Sequence, residues 1–268
     1  MEPIGIAGCG RMGAGMLRNL LTAGIDARGL DVRDPAAFGD LPVTDDPAAF
    51  ARGLGTVFVV VRDAAQIDAL LFGEQALLRR AGDLRRLAIS STVSPRYVAA
   101  LRGRLPDALA LLDAPMSGAQ SGAEAGTLTF MLGGADRDLD PLMPAFEAMG
   151  SAIHRMGPSP AGHAAKVLNN MMAAASMVST RLALDWCGEW GLDRDRFLAL
   201  ADSASGRNWF TALWDAIEFA PAGYDPDNSV GIVAKDVACA ADAAPKGADT
   251  AFPDLLEASL RALKPLRD

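Results

Sequence analysis

The chain has 268 residues, half of them hydrophobic, and a formal net charge of -8 at pH 7. That length is enough for one large α/β domain or for two smaller domains with full cores. The negative charge argues against nucleic acid or an anionic membrane as the main partner. The three cysteines and two histidines show no metal-ligand spacing, so no metal site is expected. Widely spaced cysteines in odd number are typical of reduced thiols, and we predict a cytoplasmic protein.

A glycine-rich segment starts almost at the N-terminus. Gly8, Gly10 and Gly13 fit the G-x-G-x-x-G spacing, between an apolar strand-like run at 4–7 and a helix-like run at 14–20. In such a turn the first glycine permits the bend, the second lets a pyrophosphate approach, and the third lets the helix pack on the strand. The segment predicts a dinucleotide site, although such turns also arise for steric reasons alone.

The first half of the chain alternates short apolar runs with helical stretches. This rhythm is typical of a parallel sheet with helices on both faces. Strands are predicted at 4–7, 27–31, 56–61, 87–91, 109–114, 127–132 and 152–156. Helices are predicted at 14–23, 47–52, 64–71, 95–105 and 139–149.

The pattern changes after the Gly-Pro-Ser-Pro segment at 157–160. From Gly162 onward, the stretch to residue 190 has no proline and one further glycine, which predicts a long helix at about 161–190. No convincing strand follows. We therefore predict an α/β protein with an N-terminal Rossmann-type parallel sheet over 1–158 and an all-helical domain over 159–268, entered through this long interdomain helix. One continuous domain with a helical tail is the alternative.

An acid lies where a bound dinucleotide needs one. Asp31 ends the second predicted strand, about twenty residues beyond the glycine turn, and a carboxylate there binds the adenosine ribose hydroxyls. It also repels a 2′-phosphate, so NAD is favoured over NADP. Arg28 and Arg33 lie close in sequence and keep NADP as an alternative. The structural alternative is that Asp31 only caps the turn that follows the strand.

A second concave turn is predicted where the strand ending near Asp113 runs into a Ser-Gly pair. The Ser117 hydroxyl and the backbone N–H groups of Gly118 and Ala119 form the kind of concavity that binds a carboxylate. An irregular turn of small residues is the structural alternative.

The start of the long helix carries a lysine among small apolar residues. Lys166 and Asn170 are four residues apart and share a helix face. A poorly solvated lysine has a lowered pKa and is suited to proton transfer, and Asn170 would hold a hydroxyl or carboxylate oxygen of the same ligand. A lysine that reaches solvent from an amphipathic helix is the structural alternative.

Five segments in order resemble the β-hydroxyacid dehydrogenase family, which includes 3-hydroxyisobutyrate, tartronate semialdehyde and threonate dehydrogenases. Together they span nearly the whole chain. They are the turn at 8–13 with Arg11 and Met12, the loop at 91–95, the loop at 113–119 with its continuation at 126–129, the helix segment at 166–170, and Lys235-Asp236-Val237.

The resemblance implies hydride transfer between NAD or NADP and a small β-hydroxy acid, of the hydroxyisobutyrate, glycerate or threonate type. Lys166 would act as general acid and base, and Asn170 would orient the substrate. The substrate carboxylate would be held by residues 117–119. Lys235 would close the cleft, with Asp236 positioning it.

The remaining implied residues are less specific. Thr92 would lie near the nicotinamide ribose. Asp63, where threonate-type members usually carry asparagine, would line the cofactor. Arg207 lies in a loop at 205–209 that also resembles the family, and it is a candidate for a second anionic group on the substrate, with a solvated loop arginine as the alternative.

Several residues depart from the family pattern. Ala119 replaces a glycine, Pro160 replaces the first of two glycines before the lysine, and His163 replaces a residue that is often glutamine. None of these changes removes a group needed for hydride or proton transfer. His163 is close enough in sequence to Lys166 to touch the ligand, although a histidine at a helix start is more often structural.

Two other functions are weighed against the dehydrogenase. An imine reductase-like enzyme would have the same fold, but such relatives usually lack the lysine. An inactive NAD(P)-binding scaffold would have lost Lys166 or Asn170. The expected partner is a small carboxylate, and the apolar residues Met171, Met172 and Met177 favour a homodimer or homotetramer.

Overall fold

One sheet contains all nine strands found in residues 2–266, the part of the chain that the computed structural model describes. The strand order is β3-β2-β1-β4-β5-β6-β8-β7, with β9 paired to β8. All neighbours from β3 to β6 are parallel, β8 is antiparallel to β6 and β7, and β9 is parallel to β8. The strands are β1 (Ile4–Ala7), β2 (Ala27–Leu30), β3 (Val43–Thr44), β4 (Thr56–Val59), β5 (Arg86–Ile89), β6 (Ala110–Asp113), β7 (Met116–Ser117), β8 (Leu128–Gly133) and β9 (Gly150–Gly157).

Both faces of the parallel strands are covered, which explains their uninterrupted apolar sequences. In β4, Phe58 packs into one hydrophobic cluster, while Val57 and Val59 pack into a second. Successive side chains of a strand point to opposite faces, so the two clusters are the two sides of the sheet. The helices of this part are α1 (Gly13–Thr22), α2 (Pro47–Ala51), α3 (Ala64–Leu71), α4 (Leu77–Arg80), α5 (Pro95–Arg102), α6 (Ala119–Ala125), α7 (Asp136–Leu139) and α8 (Met143–Met149).

The chain divides into two compact units, the first ending at Lys166 and the second beginning at Val167. The described residues of the second unit form helices and connecting loops, without a strand. Its helices are the greater part of α9 (Ala161–Cys187), α10 (Arg194–Ser203), α11 (Trp209–Ala212), α12 (Ser229–Asp242) and α13 (Ala251–Arg261). Its main core contains Met177 and Phe210, while Met172 is 70% exposed.

A buried arginine ties the last residues of the second unit to an earlier loop. The guanidinium of Arg181 is fully buried and donates to the carbonyls of Ala220, Ala222 and Lys264 at 2.8, 2.7 and 2.6 Å. Burial lowers the pKa of Arg181, partly offset by Asp185. These three carbonyls replace the carboxylate that a buried arginine usually requires.

The structure confirms the predicted fold class, with a parallel-dominated sheet followed by a long helix and a helical region. The predicted helix at 139–149 is wrong in part: it is broken by a 3₁₀ segment at Asp140–Leu142. Pro141 and Pro144 lack the backbone N–H that a continuous helix needs. Five short elements of the first unit, β3, α4, β7, α6 and α7, were not predicted from the sequence.

Two features are absent from residues 2–266. No helix combines the length and apolar character needed to cross a membrane. No group of three or more His, Cys, Asp or Glu side chains is arranged to hold a metal ion.

Candidate active site

The glycine turn after β1 leaves room for a ligand beside its backbone. Gly8 has a φ of +97°, and a Cβ there would clash with the carbonyl of Val60. A Cβ on Gly13 would clash with the carbonyl of Gly8, whereas one on Gly10 would meet nothing within 4 Å. The outer two glycines therefore make the tight turn, and Gly10 lines open space. β1 lies between β2 and β4, where the strand order reverses, the usual place for a dinucleotide. The turn therefore fits a pyrophosphate.

Asp31 and Arg33 form an ion pair that is bonded to the glycine turn. The backbone N–H of Cys9 donates to Asp31 Oδ2 at 2.8 Å, and Arg33 Nε donates to Asp31 Oδ1 at 3.0 Å. Arg33 also donates to the Cys9 carbonyl at 3.0 Å and stacks on the ring of Phe38. Burial raises the pKa of Asp31, but hydrogen bonds from Arg33 outweigh it and the net pKa is lowered. The carboxylate is thus ionised at neutral pH, close to the turn.

Cys9 is structural rather than reactive. Its thiol is buried, and burial together with the charge of Asp31 raises its pKa to about 12. A Cβ added at Gly29 would clash with Cys9 Sγ, which shows how closely β2 packs beneath the turn.

The ends of β4 and β5 contribute Asp63 and the loop with Thr92. Asp63 caps α3, since its Oδ1 accepts the backbone N–H of Gln66 at 2.9 Å. In the loop, Ser91 Oγ accepts the backbone N–H of Val61 at 2.9 Å. Thr92 follows it and is half-buried. Both loops leave the carboxyl edge of the sheet beside the glycine turn, because β4 and β5 are parallel to β1.

The Ser-Gly turn is followed directly by α6. Ser117 ends β7 and is half-buried, while Gly118 and Ala119 are exposed. Gly118 has a φ of +133°, and Ala119 a φ of +55°, a region that favours glycine. Ala119 thus adopts a backbone conformation that glycine would adopt with less strain. Ser117 and two exposed backbone positions form an open corner at the end of the sheet.

Lys166 is only 5% exposed, on the second turn of α9. The first turn is bonded to Asp113, the last residue of β6: its Oδ2 accepts the backbone N–H of Gly162 at 2.9 Å, and its Oδ1 accepts the Ser159 hydroxyl at 2.6 Å. His163 lies beside the same carboxylate. The contacts of Asp113 with the start of α9 were not predicted, because they join residues 46 or more positions apart in the chain.

In the second unit, three of the predicted residues form one network. Asn170 Nδ2 donates to Asp236 Oδ2 at 2.6 Å, and Lys235 Nζ lies 2.7 Å from Asp236 Oδ1. Asp236 is buried, whereas Asn170 and Lys235 are half-buried. Asp236 therefore orients both an amide and an ammonium that remain partly accessible.

Arg207 lies in the second unit as an exposed residue. Its Nε lies 3.1 Å from Asp202 Oδ1, and both side chains are largely in solvent. This surface ion pair contributes little to stability. The remaining predicted cofactor residues follow Gly10 in the chain. Arg11 is exposed, and Met12 is half-buried.

Two family models together cover almost the whole chain. Residues 3–157 match the NAD binding domain of 6-phosphogluconate dehydrogenase, and residues 160–261 match the NAD-binding domain of NADP-dependent 3-hydroxyisobutyrate dehydrogenase. The chain belongs to the β-hydroxyacid dehydrogenase family. Membership makes this chain an NAD(P)-binding oxidoreductase, in agreement with the turn at Gly8–Gly13.

Individual members of the family match over most of their lengths. An NAD-dependent L-serine dehydrogenase of Pseudomonas aeruginosa is 34% identical, with 93% of this chain and 88% of the relative covered. The mitochondrial 3-hydroxyisobutyrate dehydrogenase of Drosophila melanogaster is 32% identical, with 90% and 77% covered. A solved structure of Mycobacterium tuberculosis 3-hydroxyisobutyrate dehydrogenase with L-serine is 27% identical, with a TM-score of 0.77 over 98% of this chain and 96% of that one.

Proposed function

We propose that the protein oxidises a small β-hydroxy acid at its hydroxyl-bearing carbon, with Lys166 as general base and, in reverse, as general acid. The burial of Lys166 carries the proposal. Lys166 exposes only 5% of its surface, and a lysine amine held away from bulk water can exchange a proton with a bound hydroxyl. When NAD is bound, its nicotinamide supplies the hydride acceptor.

The first unit is proposed to bind the cofactor and the substrate carboxylate. Gly8, Gly10 and Gly13 hold the pyrophosphate, supported by the open space at Gly10, and Arg11, Met12, Asp63 and Thr92 line the remainder. Residues 117–119 bind the carboxylate through the Ser117 hydroxyl and the exposed backbone at 118 and 119.

NAD is proposed as the preferred cofactor. Asp31 is ionised, half-buried and fixed to the glycine turn, so it repels a 2′-phosphate. Arg33 is the group that would accept NADP, but it donates to Asp31 and to Cys9 instead.

The second unit is proposed to contribute the remaining substrate contacts. Asn170 and Lys235 present polar groups that Asp236 orients. Arg207 is proposed to meet a second anionic group where a substrate carries one. Hydroxyisobutyrate, glycerate, threonate and serine are the first candidates, since the named relatives act on 3-hydroxyisobutyrate or L-serine.

We also propose a cytoplasmic homodimer or homotetramer. Within residues 2–266 no disulfide joins Cys9, Cys187 and Cys239, as is usual in a reducing compartment. Leu168 and Met172 expose 51% and 70% of their surfaces on α9, which supports a contact between copies along that helix.

The test combines a substrate screen with a lysine variant. Wild-type protein is assayed with NAD and NADP against the four hydroxy acids named above. Lys166→Ala is then assayed with the best substrate, and we expect turnover to fall by about 100-fold or more while the Kd for NAD stays unchanged. Lys246→Ala, at an exposed lysine, is the matched control. Near-normal turnover of Lys166→Ala would rule out the proposed chemistry.

A further inference from the structure

His163 is fully buried between two oxygen atoms that only accept hydrogen bonds. Its Nδ1 lies 3.2 Å from Asp113 Oδ1, and its Nε2 lies 3.2 Å from the carbonyl oxygen of Ser91. The Nδ1 contact has ion-pair distance without the alignment of a full hydrogen bond. Each ring nitrogen therefore lies beside an oxygen atom at the end of a strand or shortly after one. The Asp113 side chain in contact with the ring is also fully buried.

The histidine and aspartate connect the start of α9 to the ends of three parallel strands. Asp113 ends β6, Ser91 follows β5, and Ser91 Oγ accepts the N–H of Val61, which follows β4. Asp113 also holds the backbone of Gly162. The first turn of α9 is therefore bonded, at side chain and backbone, to the edge of the sheet from which the cofactor loops leave.

The backbone packs tightly around Asp113 at the start of α9. A Cβ added at Gly162 would clash with the Met131 carbonyl and lie 2.7 Å from Asp113 Cβ. A Cβ added at Gly133 would clash with Asp113 Oδ2. Close contact on both sides fixes the helix start, so a side chain one turn further along α9 has a defined place relative to the sheet.

We propose that His163 and Asp113 are positioning residues, which place Lys166 for proton transfer through the buried contact between the two side chains and the bond from Asp113 to the backbone of Gly162. This inference rests on the proposed role of Lys166, three residues after His163. Displacement of a catalytic group by about 1 Å costs up to about 100-fold in rate. Loss of the pair should therefore lower kcat and leave the Kd for NAD unchanged, because the glycine turn is not part of the connection.

Two conservative variants separate the two contacts of the ring. In His163→Asn the amide nitrogen takes the approximate place of Nδ1 and keeps the link to Asp113. In His163→Gln it takes the place of Nε2 and keeps the link to Ser91. We expect His163→Ala to lower kcat by about 10- to 100-fold, and at least one amide variant to recover most of it. Equal kcat in the wild type, alanine, asparagine and glutamine proteins would overturn the proposal.

The contact between the ring and Asp113 is tested without activity. The chain has only two histidines, so ¹⁵N spectra of the side chains contain two imidazole rings, and His154→Gln removes the signal of the exposed one. We expect the signals of the His163 ring to change in Asp113→Asn. Unchanged signals in that variant would overturn the contact. If Lys166→Ala stays active, the proposed function fails. If Lys166→Ala is inactive but His163→Ala keeps full activity, only this inference fails.

Discussion

Asn170 Nδ2 donates to Asp236 Oδ2 at 2.6 Å across 66 residues of chain. Because the amide nitrogen is bound, the orientation of the whole amide is defined, and its oxygen is directed away from the carboxylate. The same carboxylate lies beside Lys235 Nζ. A single buried acid therefore sets the positions of both polar groups that the second unit is proposed to offer to the substrate.

Loss of this acid should weaken substrate binding. In Asp236→Ala, Asn170 loses a hydrogen bond to a carboxylate, a contact that contributes about 1.5–3 kcal/mol, and Lys235 loses the carboxylate 2.7 Å from its Nζ. We expect KM for the hydroxy acid to rise about 10-fold or more, with the Kd for NAD unchanged. Steady-state kinetics measure the KM for the hydroxy acid, and a cofactor titration measures the Kd for NAD. Asp242→Ala, at the exposed end of the same helix, is the control, and an unchanged KM in Asp236→Ala would show that Asp236 is structural only.

Cofactor choice should depend on Asp31. Replacing it by alanine removes the charge that repels a 2′-phosphate and releases Arg33 from its ion pair. We expect the ratio of kcat/KM with NADP to that with NAD to rise by about 10-fold or more, since one interaction of 1.4 kcal/mol is a factor of ten. Asp34→Ala changes a neighbouring exposed acid and should leave the ratio alone. The same ratio in Asp31→Ala and wild type would make Asp31 a turn cap.

Ala119 should tolerate glycine better than any helical alanine nearby. Its φ of +55° costs an L-residue about 1 kcal/mol or more, and that strain offsets the entropy that glycine adds to the unfolded chain. We expect Ala119→Gly to unfold at the same or higher denaturant concentration than the wild type. Ala99→Gly, at an exposed alanine inside α5, should lose about 1 kcal/mol. A larger loss in Ala119→Gly than in Ala99→Gly would contradict the strain.

The thiol of Cys9 should resist alkylation in the native protein. Burial raises its pKa to about 12, so at pH 8.5 it is protonated and inaccessible, whereas the half-buried Cys239 should be labelled first. Mass spectrometry after brief iodoacetamide treatment identifies the labelled residue. Rapid native labelling of Cys9 would contradict the burial.

The raised pKa of Cys9 also makes the stability of the protein depend on pH. An unfolded cysteine loses its proton near pH 8.5, well below the pKa of folded Cys9. The unfolded state therefore binds fewer protons above that pH, and the contribution of Cys9 to stability is present below pH 8.5 and lost as the pH rises towards 12. In Cys9→Ala the free energy of unfolding should fall less steeply between pH 8.5 and 10 than in the wild type. Parallel pH profiles for the two proteins would be evidence against the shift.

Local patterns in the sequence predicted the elements that are defined by local interactions. The glycine turn, the apolar strands and the long helix each follow from residues next to one another in the chain. The short strand β3 was missed because it has two residues and depends on its neighbour β2. Helix α6 was missed because its Gly and Ala content was interpreted as a loop.

The candidate site was predictable as a set of residues but not as a set of contacts. Lys235 and Asp236 adjoin in sequence, but nothing local pairs Asp236 with Asn170. Asp113 begins a predicted substrate loop, yet its carboxylate faces the helix start instead, where it meets Ser159, Gly162 and His163. Such pairings arise only when the sheet and the helix are assembled, so sequence spacing carries no signal for them.

The buried guanidinium of Arg181 makes two distant parts of the chain depend on each other. The carbonyls of Ala220, Ala222 and Lys264 all accept hydrogen bonds from this one cation. If one carbonyl moves away, the buried charge keeps fewer hydrogen-bond partners. Truncation of the chain before Lys264 should therefore destabilise the loop that contains Ala220, more than forty positions earlier in the chain. Peptide tags or fusions at the C-terminal end thus need a spacer that leaves the backbone at 264 undisturbed.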